Sequence, residues 1–110
     1  MAGSDLFTGS LDLLILKAVS FGPRHGYAIG RWIRDQTEQE ILIQEGALYP
    51  ALHRLERRGL VEEEWGITDT NREAKFYRLS PAGRTHLKDE MARWNRFSRV
   101  MRLALDAARS

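Results

Sequence analysis

From Pro81 to Ala108 nothing in the chain stops a helix. Ser80 can cap its start, Pro81 suits the first helical position, and no proline follows. One helix of about 28 residues spans roughly 42 Å, a long element for a chain of 110 residues. Along it Leu87, Met91, Trp94, Ser98, Met101 and Leu105 recur at steps of 4, 3, 4, 3 and 4, a heptad-like seam interrupted once by Ser98. Phe97, Val100, Ala104 and Ala108 widen the apolar arc to roughly half the circumference. The remaining residues are too few to cover such a stripe. It predicts a partner, and the simplest partner is a second copy of the chain. Leu87, Met91, Trp94, Phe97, Met101 and Leu105 are therefore the expected dimerisation residues.

The preceding residues read as one small unit. Leu11–Val19 is interrupted only by Asp12 and Lys17, too apolar for a surface helix, and predicts a central helix with Ser10 as its N-cap. Gly22-Pro23 stops it. A second helix is expected over 26–37, with Ile29, Trp32 and Ile33 inward and Gly30 in close contact with the first helix. Ile41–Ile43 is short and β-branched and predicts a small strand. Gly46–Arg58 is the third helix, with Leu48, Ala51, Leu52 and Leu55 on one arc and Gly46, Pro50, His53 and Arg57 opposite. Gly59 suits the position after its end, with Leu60 packing back. Strands over 60–65 and 75–79 flank a polar loop over 66–73. Trp32 and Trp65 are expected in core and wing packing. The fold class is mainly α with a small β-wing: a winged helix-turn-helix over 1–80, with an N-terminal arm over 1–9, and a dimerisation helix over 81–110.

Charge and composition exclude more than they assign. The formal net charge is only +2. Residues 84–110 carry seven Lys/Arg against three Asp/Glu, and residues 1–83 carry ten against twelve. Any nucleic-acid surface must therefore be a local cluster. With no cysteine there is no disulfide, thiol switch or cysteine zinc site. His25, His53 and His86 lack metal-pair spacing. No nucleophile–base set or glycine-rich phosphate loop is visible, so neither an enzyme nor a metal or cofactor is expected. No apolar run reaches the roughly 18 residues of a membrane span, and Met1–Phe7 lacks a secretory pattern. A cytoplasmic protein that makes no use of a membrane is the expectation.

Five blocks in order then carry a resemblance: Leu11-Asp-Leu-Leu-Ile-Leu16, His25-Gly-Tyr-Ala-Ile29, Gly46-Ala-Leu-Tyr-Pro-Ala-Leu-His-Arg-Leu-Glu56, Gly59-Leu-Val61 and Lys75-Phe-Tyr-Arg-Leu-Ser-Pro-Ala-Gly83. Together they resemble the PadR-type transcriptional regulators over nearly the whole chain. The resemblance implies a homodimeric bacterial repressor that leaves its operator when a small aromatic or cationic effector binds or a signal arrives. The single short C-terminal helix is similar to the smaller subgroup. The chain departs from the pattern at Gln44-Glu45, where many relatives carry a small hydroxyl residue or proline.

Double-stranded operator DNA needs cations for phosphates and short side chains where a helix enters the major groove. Ala47 and Pro50 supply compactness, His53 can reach a base edge or phosphate, and Arg54 and Arg57 supply charge. Arg57 and its neighbour Arg58 serve equally as cations at a helix C-terminus. The resemblance implies a backbone contact by Tyr49, whose bland role is core packing with a wet tip. Tyr27, beside the family-matched Arg24 and His25, is either at a phosphate or buried. Arg72 and Lys75 serve the wing, or are ordinary solvated charges. The Glu62-Glu63-Glu64 run reads as a solvated strand face.

Trp94 lies mid-seam, so in a symmetric dimer it meets its own copy. Facing indoles can sandwich a flat ligand, or simply anchor the interface. Met91, Phe97 and Phe7 complete the candidate ligand-binding set, with Leu6 and Phe7 folding onto the partner as the resemblance implies. The competing function is a winged-helix protein-interaction module without direct DNA readout.

Overall fold

A computed structural model describes the backbone of residues 2–109 and the side chains of residues 9–109. The element order is α1 (Ala2–Val19), β1 (Arg24–His25), α2 (Gly26–Gln36), α3 (Glu45–Arg57), β2 (Val61–Ile67), β3 (Glu73–Leu79) and α4 (Pro81–Leu105). This is the expected winged helix-turn-helix with a long last helix.

α1 is central because it is apolar on several sides. Leu11, Ile15, Leu16, Ala18 and Val19 are buried with Ile29 and Ile33 of α2, Leu48, Ala51, Leu52 and Leu55 of α3, Tyr77 and Leu79 of β3, and Leu87 of α4. Its start differs from the expectation. The helix begins at Ala2, so Ser10 is an interior residue and not a cap. No proline occurs in this stretch, and a helix already nucleated by the buried turns extends upstream at little cost. Phe7 and Leu6 lie outside the described side chains.

Ile41–Ile43 forms no strand. β3 has two edges: β2 takes one with Val61 opposite Leu79 and Trp65 opposite Lys75, and β1 takes the other with His25 opposite Phe76. The sheet order is thus β1-β3-β2; Ile41–Ile43 pairs with none of these strands, and Ile43 packs on the core as a loop residue instead. Gly30 faces Leu48 of α3 at ordinary contact distance, not α1. The wing strands run two residues further toward the tip than expected. Trp65 does not pack: it is 68% exposed, with the Lys75 ammonium 5.8 Å from its ring.

The joint between wing and last helix is closely built. Gly59 has φ +73° and ends α3, and the Leu60 N–H returns to the Leu55 carbonyl at 2.9 Å. The buried Ser80 hydroxyl donates to the Gly59 carbonyl at 2.6 Å and accepts from the Gly83 N–H at 2.9 Å. The first turn of α4 therefore rests directly on the end of α3. Gly83 permits this approach: a β-carbon there would overlap the Leu60 carbonyl oxygen and lie 2.9 Å from Leu79 Cδ1. Gly83→Ala is expected to destabilise the fold by about 3 kcal/mol, because the obstacle is backbone that cannot rotate away. Gly46→Ala, with nothing within 4 Å, is expected to be neutral or to stabilise by about 0.5–1 kcal/mol. Thermal or urea unfolding of the two variants checks the contrast.

Candidate nucleic-acid interface

α3 presents one face to the core and the other to solvent. Leu48, Ala51, Leu52 and Leu55 are buried, whereas Tyr49, Pro50, His53, Arg57 and Arg58 are exposed. Pro50 lies near the start of the helix, where a missing N–H is tolerated. Ala47 is half-buried and leans on the core, so it bounds the outward face. Gln44 caps α3 without a side-chain hydrogen bond, and Glu45 in the first turn suits the positive end of the helix.

Tyr49 is held in place by the residue opposite. Gly26 begins α2, and a β-carbon there would come within 2.8 Å of the Tyr49 ring. The blocks His25-Gly-Tyr27 and Leu48-Tyr-Pro50, distant in sequence, therefore meet at a glycine that admits a tyrosine. The same start of α2 is capped by His25, whose Nδ1 accepts from the Ala28 N–H at 3.4 Å. His25 meets Phe76 edge-on at 5.3 Å and stacks against Tyr27 at 6.4 Å. Tyr27 itself is outward and 66% exposed, which removes the buried alternative.

The wing tip is ordered by its own hydrogen bonds. The Thr68 N–H donates to the Arg72 carbonyl at 2.8 Å, and the Arg72 N–H donates to the Thr68 hydroxyl at 3.1 Å. Asn71 takes φ +63°, a conformation asparagine tolerates better than most residues. Arg72 is thereby projected from a defined turn. Between this tip, the start of α2 and the outer face of α3 lies an open cleft of about 1130 Å³, lined by Arg24, Tyr27, Arg31, Tyr49, His53 and Arg72 among others. Asp35, Asp69 and Glu73 also border it.

Two of the expected DNA cations are engaged inside the chain. Arg54 Nη2 lies 2.8 Å from Asp12 Oδ1 on α1, and Lys75 Nζ lies 3.0 Å from Glu63 Oε1. The other glutamates of the run are not merely solvated: Glu62 pairs with Arg78 at 3.2 Å, and Glu64 with the same guanidinium. Asp12, Glu56 and Glu63 carry no local signal as partners, because Arg54, Glu63 and Lys75, with which they interact, lie on other elements of the fold. Arg24, family-matched in sequence, lines the cleft with Arg31, which reads in sequence only as an ordinary surface charge.

The Glu56 and Glu63 carboxyl groups come together where α3 meets the wing. A hydrogen bond between the two carboxyl groups, then burial and the Glu63 charge, push the Glu56 carboxyl up. The same hydrogen bond, then the Lys75 ammonium, holds Glu63 down. Glu63 in turn raises Lys75, and burial raises the Tyr77 hydroxyl beside them. Glu63 thus contributes stability above the ordinary carboxylate range that is lost as pH falls through its lowered value. Glu56 has the opposite sign, contributing at low pH and losing it as pH rises through its raised value. Carboxyl carbon NMR titration should show Glu56 above and Glu63 below the ordinary range, with Glu56→Ala moving Glu63 back upward. An unmoved Glu63 would mean that the two groups share no proton.

On α4 the inward turn ends early. Leu87, expected on the dimer seam, is buried in the chain's own core. From Met91 to Leu105 every residue is exposed. Trp94 and Phe97 lie 6.0 Å apart, ring to ring. With Leu13, Leu14 and Lys17 of α1 and with Ile41, Met91 and Trp94 border an apolar groove of about 380 Å³. No helix among the described residues is long and apolar enough to cross a membrane, and no metal-binding cluster occurs among them.

Comparison with known proteins places this architecture. Residues 15–89 match the transcriptional regulator PadR-like family. A transcriptional regulator of Mycobacterium tuberculosis, Rv3488, is 37% identical over 62 residues, 56% of this chain and 57% of the relative. The structure of a transcriptional regulator from Clostridium thermocellum superposes with a TM-score of 0.79 at 32% identity, covering 89% of this chain and 92% of that one. A PadR family transcriptional regulator from Eggerthella lenta superposes with a TM-score of 0.78 at 28% identity, over 96% and 90% of the two chains. The match spans the helix-turn-helix, the wing and the first turns of α4, and the chain belongs to the PadR-like family of DNA-binding transcriptional regulators, which are not enzymes.

Proposed function

We propose that this regulator is a cytoplasmic homodimeric repressor, released from its operator by a small aromatic or cationic effector bound between the subunits. Residues 1–80 form the DNA-binding unit and residues 81–110 the dimerisation helix. The observation that carries this reading is the bare apolar face of α4, where Met91, Trp94, Phe97, Val100, Met101 and Leu105 are 37–66% exposed in the single chain. Rows of this kind are stable in water only when covered, and an isologous contact between two α4 helices covers both at once. Leu87 supports the seam from the core side, and the contact begins at Met91.

Each α3 enters a major groove with Ala47, Tyr49, Pro50, His53 and Arg57. Arg72 reaches the phosphates flanking the adjacent minor groove, and Tyr27 at the start of α2 contacts the backbone. Lys75 holds the wing against Glu63. Two such units reach half-sites about 34–36 Å apart, so an effector that changes the spacing of the paired α4 helices disfavours simultaneous docking. Trp94, Met91 and Phe97 line the effector's site.

The test begins with oligomeric state. Sedimentation should find a dimer, and Trp94→Arg should weaken it by about 2–4 kcal/mol, as expected for a central aromatic anchor. Fluorescence anisotropy on a duplex selected from a random pool should then show affinity falling steeply with salt. Arg72→Ala should weaken binding to all sequences alike and reduce the salt slope by about one. Binding that ignores salt would instead identify a protein-contact module, and a monomer that binds tightly would remove the dimer.

A further inference from the structure

Arg54 sits on the recognition helix of a DNA-binding protein, yet its guanidinium turns inward to Asp12 of α1, 2.8 Å away and 42 residues back in the chain. The Asp12 side chain is only 14% exposed and that of Arg54 36%. Among the described residues it is the ion pair that joins one helix to another; the other helical pairs lie within α2 or within α4. We infer that Arg54 is a positioning residue, which sets the orientation of α3 through Asp12 and does not itself contact DNA.

The physical argument has two parts. The buried residues of the two helices are otherwise aliphatic, Leu11, Ile15, Leu16, Ala18 and Val19 on α1 and Leu48, Ala51, Leu52 and Leu55 on α3. Such a contact resists separation but is non-directional, so small rotations of α3 about its axis cost little. A charged hydrogen bond is directional and strong for its size, and it fixes which way Tyr49, His53 and Arg57 point. The second part concerns the alternative. If Arg54 left for a phosphate, it would abandon a largely buried carboxylate, and an unpaired charge of that kind is strongly unfavourable.

This inference rests on the DNA-binding reading above, and the test separates the two. Specific and random-sequence duplexes are titrated with the full-length chain and with Asp12→Asn, Arg54→Gln, Arg54→Lys and the exchanged pair Asp12→Arg/Arg54→Asp. A phosphate contact and a positioning pair predict opposite signs for Asp12→Asn. Removing a negative charge and freeing Arg54 should tighten binding if Arg54 touches phosphate. It should weaken specific binding by about tenfold if the pair orients α3, the scale of one lost charged hydrogen bond.

Positioning also predicts an unchanged salt slope in Arg54→Gln, partial recovery in Arg54→Lys, and recovery in the exchanged pair, which places an acid on α3. Random-sequence affinity should hardly move. Amide exchange over residues 45–57 supplies a readout that needs no DNA: it should quicken in Asp12→Asn and Arg54→Gln and slow again in the exchanged pair. Tighter binding by Asp12→Asn, a salt slope reduced by one in Arg54→Gln, or unaltered exchange in α3 would overturn the inference. If no duplex binds the unaltered chain, the DNA-binding reading fails, and the exchange experiment still decides whether the pair holds α3.

Discussion

The burial of α1 is what the other elements depend on. Ile15, Leu16, Ala18 and Val19 are almost wholly removed from water, and they are covered by α2, α3, β3 and α4 together. Each of those elements exposes too little apolar surface to one neighbour alone to fold by itself. α2 has few buried residues beyond Ile29 and Ile33, and the two-stranded part of the wing would be marginal as an isolated hairpin. Gathered around one helix, the same modest faces form a continuous core. Arg24 adds a polar tie to this arrangement, its Nε donating to the Ala18 carbonyl at 2.8 Å, so the end of α1 also fixes where β1 and α2 begin.

That core has a boundary along α4, and the boundary separates two kinds of chemistry on one helix. Up to Leu87 the helix belongs to the domain, seated by Ser80 and Gly83 on the end of α3. Beyond it the helix leaves the domain, and among the described residues Met91 and Trp94 share a groove with Leu13 and Leu14 of α1 and with Ile41. A change at the outer part of α4 is therefore expected to leave the reading domain folded, which is what a proposed contact between two copies there requires. The reading surface and the bare helix are nevertheless connected, because Leu13 and Leu14 on α1 border the apolar groove while Asp12, their neighbour, holds α3.

The parts of this arrangement that were legible in the sequence are those governed by local rules. The inward arc of α3, the stop at Gly59 and the Ser80 cap follow from periodicity and end signals within a few residues, whereas α4 ends at Leu105, three residues before the expected Ala108, with Asp106 as its C-cap. The start of α1 was misread because Ser10 has the chemistry of a cap, while propagation from a buried helix needs no cap. The strand at Ile41–Ile43 failed for a non-local reason: its residues suit a strand, but a strand needs a partner, and the fold brings none to them. Trp65 was misplaced by the same logic, since a large aromatic on a strand packs only if the wing curls over something, and the tip extends past the core. At the candidate interface, the outward residues of α3 were readable and their partners were not. Nothing near Arg54 announces Asp12, and nothing near Glu56 announces Glu63.

These hidden pairs change how the charge of the reading domain should be understood. Residues 1–83 carry more acids than bases, an awkward balance for a surface that approaches phosphates. The fold reduces the difficulty by setting acids against bases within the domain: Asp12 with Arg54, Glu63 with Lys75, and Glu62 and Glu64 with Arg78. Among the described residues, Arg31, Arg57 and Arg72 have no such ion pair and lie at the cleft or on the outer face of α3. A surface charge that is already paired contributes little to the long-range field. The charge near the interface is then a local matter of a few unpaired arginines beside Asp69 and Glu73 at the cleft rim, and it does not follow from the domain's net balance.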